Sequence, residues 1–329
     1  MISGANSVFK VIRCEDDADW LAQRTKGVGG SDVAAIMGLS PWRTPADVWF
    51  EKTGRADPQD ISDRPNVRRG VELEPFVGGK FAAAHQDFIV RRVNAICQSM
   101  ERPWAQASLD YEVCEHEVTD RRSYKWGVLE IKTARSDADW KEGIPAYYLT
   151  QVTHYLSVTG RDFAWLAVQF CGDHAWEYRE YRVERDEEDI AAVNESVDTF
   201  WHDFVEADVM PELVGTASEA QGLTQAYHEP TDELVSDYDA DTLQLVSDYQ
   251  DAAERERQAK ADKQRASTLL MAKIGDAKGI VTETARVTWS RSETESLDVK
   301  RLKAEAPEIW EQYARKQIRN GGLRVTDIK

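Results

Sequence analysis

The sequence is poor in cysteine and in long apolar runs, and over one stretch it lacks basic residues altogether. Cys14, Cys97, Cys114 and Cys171 are the four thiols among 329 residues, widely scattered and without a C-x-x-C pair. That spacing argues against a zinc site and against an iron–sulfur cluster, so the four are read as reduced core thiols. The histidines, His85, His116, His154, His174, His202 and His228, show no ligand spacing either. No apolar run approaches the ~20 residues that span a bilayer, and no secretory leader is evident, so a soluble cytoplasmic protein without membrane contact is expected.

A net charge of −18 excludes a uniformly basic surface, but the charge is unevenly distributed. Asp186 to Glu254 carries 20 acidic residues and neither Lys nor Arg, which leaves 39 acids against 41 bases in the remainder. That remainder does not strongly repel a phosphate backbone. Arg64, Arg68 and Arg69, then Arg91 and Arg92, then Arg121, Arg122 and Lys125 form local basic groups able to track one, although such groups are ordinarily solvated faces. The acidic stretch suits restraint of nonspecific DNA binding or docking of a basic partner.

What the chain does have is Leu129-Glu130-Ile131-Lys132. At a strand's period of two, Glu130 and Lys132 share one face while Leu129 and Ile131 share the other, which is apolar. The segment Trp104 to Val113 also alternates, with Gln106, Ser108, Asp110 and Glu112 on one side. Two neighbouring strands of this kind present Asp110 and Glu130 to one hard cation such as Mg²⁺, with Lys132 alongside to orient an attacking water. A lone E-x-K is usually a solvated strand face, so its neighbours along the chain decide the matter.

Arg68 to Phe81 is predicted as an amphipathic helix. Glu72 sits over Arg68 and Arg69, an ordinary ion-pair face. Glu74 lies among Gly70, Val71, Val77 and Gly78, where a carboxylate needs a partner, and it is the third candidate ligand. Pro145 to Thr159 is a second helix, with Pro145 suited to its first turn and Gly160 to its C-terminal cap. Gln151 lies at its middle among Tyr147, Tyr148, His154 and Tyr155. An amide there can donate to a phosphate or a water while accepting a second hydrogen bond, whereas Tyr148 and Tyr155 read as buried aromatic packing. Ser31 reads as the N-cap of a helix from Asp32 to Met37, leaving free N–H groups at the helix start that suit a phosphate.

Val28 to Trp42, Gly70 to Pro75, Leu129 to Lys132 and Tyr148 to Gly160 together, in that order, resemble the YqaJ-like phage nucleases, relatives of lambda exonuclease within the PD-(D/E)xK superfamily. The resemblance covers roughly residues 16 to 175. It implies a restriction-endonuclease-like α/β core, a central mixed β-sheet flanked by helices, and phosphodiester hydrolysis with two Mg²⁺ ions, Mn²⁺ being able to substitute. Carried over residue by residue, it implies metal ligation by Glu74, Asp110, Glu130 and the carbonyl of Ile131, with Lys132 and Gln151 completing the catalytic set. It implies a 5′-phosphate contact from Arg24 and Ser31, which have the family's seven-residue separation. Arg135 is the nearest counterpart to a further phosphate-binding arginine, at a spacing that departs from the family's. Tyr111 stands where the family often has Gly, and Glu112 to Lys125 is a long, polar connection.

The organisation expected is a nuclease domain over residues 1–210, an acidic linker over 211–238, and a C-terminal α-rich extension over 239–329 with a short strand pair. Phe163 to Phe170 and Ala175 to Val183 read as paired strands about a Cys171-Gly172-Asp173 turn, and Glu187 to Val209 as a closing helix. Gly215 to Asp232 reads as linker, Asp239 to Ile274 as a long charged helix with a broken apolar stripe, and Val299 to Arg319 as a further helix. The expected activity is 5′-to-3′ degradation of double-stranded DNA ends, leaving 3′ overhangs for phage-type recombination in a bacterial host. The resemblance adds a ring-shaped trimer and a single-strand annealing protein as partner. An endonuclease of the same fold and a noncatalytic module binding DNA ends or an annealing protein are the alternatives.

Overall fold

The computed structural model describes residues 8–58, 61, 63–93, 95–115, 125–172, 175–227, 234–290, 292–314, 323 and 325–326. Arg121, Arg122, His116, Asp173, His174, His228 and the end of the helix expected to reach Arg319 lie outside them. The chain divides into two compact units, residues 1–228 and 229–329.

The first unit begins with β1 (Phe9–Ile12), α1 (Asp17–Arg24), α2 (Gly30–Ile36), α3 (Pro45–Lys52) and α4 (Pro65–Ala84). Then come β2 (Ile89–Arg92), β3 (Ile96–Ser99), β4 (Gln106–Ser108), β5 (Tyr111–Glu115), β6 (Lys125–Ala134), α5 (Ala146–Thr159), β7 (Phe163–Gly172) and β8 (Ala175–Glu184). It closes with α6 (Glu187–Thr199), a π-helical turn over Phe200–Glu206, and α7 (Ala217–Ala226). The principal sheet has the order β2-β5-β6-β7-β8, with β6 and β7 parallel and the other neighbours antiparallel. Parallel neighbours need a crossover, and α5 supplies it. Strands β1, β3 and β4 form a second, three-stranded antiparallel sheet. This mixed sheet flanked by helices is the restriction-endonuclease-like α/β class that was expected.

Alternation along β6 produces the layering. Val128 packs with Val152, Tyr155 and Leu156 of α5 and with Leu166 and Val168 of β7. Leu129 and Ile131 pack with Val77 and Phe81 of α4 and with Tyr111 and Val113 of β5. A third buried cluster joins Val33 and Ala35 of α2, Val48, Trp49 and Phe50 of α3, and Val193, Val197 and Phe200. Gly30 lets α2 lie against α5, because a Cβ there would stand 2.4 Å from the Tyr155 ring and 2.9 Å from Gln151 Cγ.

Several local expectations are corrected. Trp104 to Val113 is not one strand: it divides between the two sheets as β4 and β5, and Asp110 sits at the break. Ser31 is not an N-cap, because the helix starts two residues earlier than expected, at Gly30, and Asp32 caps it by accepting the Gly29 N–H at 3.0 Å. Residues 217–226, expected as linker, form α7, which Gly222 brings so close to α3 that a Cβ would lie 2.5 Å from the Phe50 ring. All four cysteines are free, but only Cys97 and Cys114 are buried, so the reading as core thiols fails for Cys14 and Cys171.

The second unit contains α8 (Ala240–Ile274), the hairpin β9 (Gly279–Val281) and β10 (Arg286–Thr288), α9 (Val299–Glu305) and α10 (Pro307–Tyr313). The single helix expected from Val299 is broken at Ala306, where Pro307 starts a new one. Of the long helix only Ile274 is buried.

Candidate active site

Strand β5 begins opposite Leu129, so the residues of β6 from Glu130 onward extend past it and lose their ladder partner on that side. The Asp110 carboxylate fills the gap, its Oδ2 accepting the Ile131 N–H at 2.8 Å. The β-ladder therefore fixes Asp110 beside Glu130, close enough for the Glu130 charge to act on the Asp110 carboxyl.

Glu130 is 3% exposed. Its Oε1 accepts from Lys132 Nζ at 2.6 Å and from Gln151 Nε2 at 2.8 Å, while Gln151 Oε1 accepts from Lys132 at 3.0 Å. The Tyr155 hydroxyl accepts a second hydrogen bond from Gln151 Nε2 at 2.8 Å, which fixes the amide's orientation. Glu130 Oε2 is buried without a partner. A cavity of about 240 Å³ opens onto this cluster, lined by Glu74, Asp110, Glu130, Ile131 and Lys132 together with Val67, Gly70, Val71 and Thr133. A second, of about 220 Å³, shares Glu74 and Asp110 with the first and is also lined by Cys14, Trp20 and Arg92.

The electrostatics are unbalanced. Burial and the neighbouring Glu130 push the Asp110 carboxyl up to about 7, against the opposing pull of Lys132 and the Ile131 N–H. Burial and then Asp110 raise Glu74, while Arg92 opposes them. Burial disfavours the Lys132 ammonium, but Glu130 and Asp110 outweigh it and the pKa is raised. Lys132 is thus a fixed proton donor at neutral pH, not a base.

Glu74 faces the cavity, whereas Glu72 pairs with Arg68 at 4.0 Å on an exposed surface. The partner that Glu74 was expected to need is already present in part, since Arg92 Nε and its terminal nitrogen lie 3.0 and 2.9 Å from Oε1. Among the described residues no three His, Cys, Asp or Glu side chains are gathered tightly enough to hold a metal ion as they stand. The donor chemistry nevertheless suits a hard cation: carboxylate oxygens, one of them buried and unpartnered, beside a carboxyl group kept from ionising readily. Asp110, Glu130 and Glu74 all line the one cavity, Glu74 with its Oε1 paired to Arg92.

Arg24 and Ser31, seven residues apart, are brought together, the guanidinium donating to Ser31 Oγ at 2.9 Å. Behind them the fully buried Asp32 meets Lys52 at 2.7 Å, Arg43 at 3.0 Å and Arg24 at 3.7 Å. Burial alone would raise the Asp32 pKa, but the three cations hold it far below the ordinary carboxylate range. Arg135 is exposed just past β6 and lines neither cavity.

Three contributors escaped the sequence reading. Tyr155 was assigned to packing, yet its hydroxyl orients Gln151; the i, i+4 spacing of the two was the available signal. Arg92 was one of a basic pair with no indication of its partner. Lys52 was not singled out at all, since its buried pairing with Asp32 of α2 depends wholly on tertiary structure.

Residues 19–162 match the YqaJ-like viral recombinase domain family. The chain is also similar to the uncharacterized protein YqaJ of Bacillus subtilis (strain 168), 28% identical over 312 residues that make up 93% of each chain. Among solved structures it resembles an alkaline exonuclease (LHK-Exo) from Laribacter hongkongensis, at 23% identity and a TM-score of 0.47, covering 58% of this chain and 94% of that one. A phage related exonuclease from Haemophilus somnus 129PT is similar at 12% identity and a TM-score of 0.41, covering 55% and 95%.

Proposed function

Because residues 19–162 carry a YqaJ-like viral recombinase domain, we propose that this chain is a Mg²⁺-dependent DNA exonuclease that degrades duplex ends 5′ to 3′ and leaves 3′ single strands for recombination. The observation that carries the reading is Glu130 beside Asp110 at a cavity, its Oε1 accepting from Lys132 and Gln151 while its buried Oε2 is left without a partner. Glu130, Asp110, the Ile131 carbonyl and a released Glu74 would hold two ions. When bound, these ions supply charge stabilisation at the attacking and leaving oxygens and increase the acidity of water.

The chain's own groups do the positioning. Lys132 is held as a cation between Glu130 and Gln151, so it can hydrogen-bond a water or a phosphate oxygen at a fixed point. Gln151, turned by Tyr155, keeps Lys132 and Glu130 in register. Arg24, with Ser31, supplies the cation for a terminal phosphate, while Asp32 sets the Arg24 side chain's position from behind. No nucleophilic side chain is required.

Incubating the full chain with end-labelled linear duplex, in Mg²⁺ or in EDTA, tests the reading. Release of mononucleotides from the 5′-terminated strand in Mg²⁺ alone is expected, with Lys132→Ala inactive yet still binding DNA. Cleavage of closed circular duplex would assign an endonuclease instead, and unchanged digestion by Lys132→Ala would reject the site. A ring-shaped trimer and an annealing-protein partner belong to the same proposal, and sedimentation of the free chain tests the first.

A further inference from the structure

Trp42 leaves 64% of its surface exposed, yet the segment carrying it is tied down. Ser40 Oγ accepts the N–H groups of both Trp42 and Arg43 at 3.2 Å, and Arg43 is anchored on Asp32 and Glu51 at 3.0 and 2.7 Å. The indole meets Tyr147 at an interplanar angle of 77°, with ring centroids 5.0 Å apart. Tyr147 in turn meets Tyr148 at 4.5 Å, and Tyr148 lies 4.8 Å from Lys132 Nζ. One exposed aromatic residue needs no explanation. A row of three that leads from the cation of the candidate active site out to solvent is a different object.

Charge narrows what this row can hold. The Tyr147 hydroxyl donates to Asp139 at 3.3 Å, so a carboxylate flanks the row between its two ends. A phosphate is disfavoured there by like charge, whereas the uncharged π-face of a base is not. Indole is well suited to stacking on any base, because every base presents such a face.

We propose that Trp42, backed by Tyr147, is a stacking subsite for a nucleobase of the DNA end. The proposal rests on the nuclease reading above. The three contacts place Trp42 within about 14 Å of Lys132 Nζ, or about four stacked nucleotides at the 3.4 Å rise of one strand. The stacked base therefore belongs to the first few nucleotides on one side of the scissile bond.

The test uses the full chain and duplex DNA carrying 2-aminopurine at successive positions from each end, with Ca²⁺ in place of Mg²⁺ so that strands stay intact. Wild type is expected to change the probe's emission at one or two adjacent positions. Trp42→Ala should abolish that change and bind the end about tenfold more weakly, while Trp42→Phe keeps most of both. Circular dichroism establishes that each variant is folded.

If Trp42→Ala matches wild type in emission and affinity on DNA that wild type hydrolyses in Mg²⁺, the subsite is refuted and the nuclease reading stands. Equal losses in the Ala and Phe variants also refute it, since they indicate packing and not stacking. If wild type shows the emission change but hydrolyses nothing, the subsite stands and the nuclease reading fails. If wild type neither binds nor hydrolyses duplex ends, both fail.

Discussion

Two buried carboxylate clusters, one about Asp32 of α2 and one about Asp110 and Glu130, have opposite charge balance. Asp32 has no exposed surface but sits among Lys52, Arg43 and Arg24, which hold its pKa far below normal. Asp110 shares Lys132 with Glu130, and burial together with that second carboxyl pushes it up to about 7. The first cluster is complete and can serve as a foundation for Arg24. The second is short of positive charge and leaves Glu130 Oε2 unpartnered. Burial of an acid alone therefore marks nothing; a deficit of compensating charge beside a cavity marks a place for a cation.

Breaking the deficient cluster at its amine should have the largest effect. Lys132→Ala is expected to lower the turnover number by about 10²–10⁴-fold while DNA affinity in EDTA changes little, as read by single-turnover digestion and a binding titration. Breaking the complete cluster should act on stability. Asp32→Asn leaves cations buried without their counter-charge and is expected to cost about 3–5 kcal/mol in urea unfolding. Asp110→Asn removes one of two adjacent carboxyls, and it should leave the metal-free protein's urea midpoint unchanged or higher. That contrast in sign separates the two clusters more sharply than either variant alone.

Acid sharpens the comparison further. Burial, against hydrogen bonds to backbone carbonyls, depresses the His154 imidazole to about 4 in the folded chain. The unfolded chain therefore takes up this proton first as pH falls. The associated stability is complete above about pH 6.5 and is lost between there and pH 4, at about 1.4 kcal/mol per pH unit. Asp32 is depressed too, so its contribution persists above the unfolded carboxylate range and disappears only below about pH 4. The raised Asp110 carboxyl takes up its proton first in the folded chain and so acts in the opposite sense between pH 7 and about pH 4. His154 is therefore read as a difference: relative to His154→Gln, the wild-type urea midpoint should fall between about pH 6.5 and pH 4, and below about pH 4 the loss of the Asp32 contribution should lower both.

Arg92→Ala should have the smallest effect. Arg92 is mostly solvent-exposed at its pairing with Glu74, so the ion pair is weak. Freeing Glu74 is expected to tighten divalent-cation binding a few-fold in a calorimetric titration, and weaker binding would mean that Arg92 supports the site directly.

The sequence carried the strand alternation about Glu130 and Lys132, the helix bearing Gln151 between Pro145 and Gly160, and the choice of Glu74 over Glu72 as the residue facing inward. These were legible because local periodicity fixes a side chain's face. The break between β4 and β5 was not, because the alternation of Trp104 to Val113 is continuous across it and only pairing with different sheets divides it. The helical character of residues 217–226 was hidden in the same way, since its Thr216 cap resembles loop chemistry and its support comes from α3. Pairing of Glu74 with Arg92 and of Asp32 with Lys52 joins residues about 20 apart along the chain, which no local pattern encodes.

The central claim is that Asp110 and Glu130 form a seat for divalent cations. Calorimetric titration of the metal-free full chain with Mn²⁺ tests it most directly, alongside Asp110→Asn and Glu130→Gln. Saturable binding by wild type, lost or greatly weakened in both variants while each remains folded, is the predicted result. Equal binding by all three proteins, or no binding by wild type, would contradict the account.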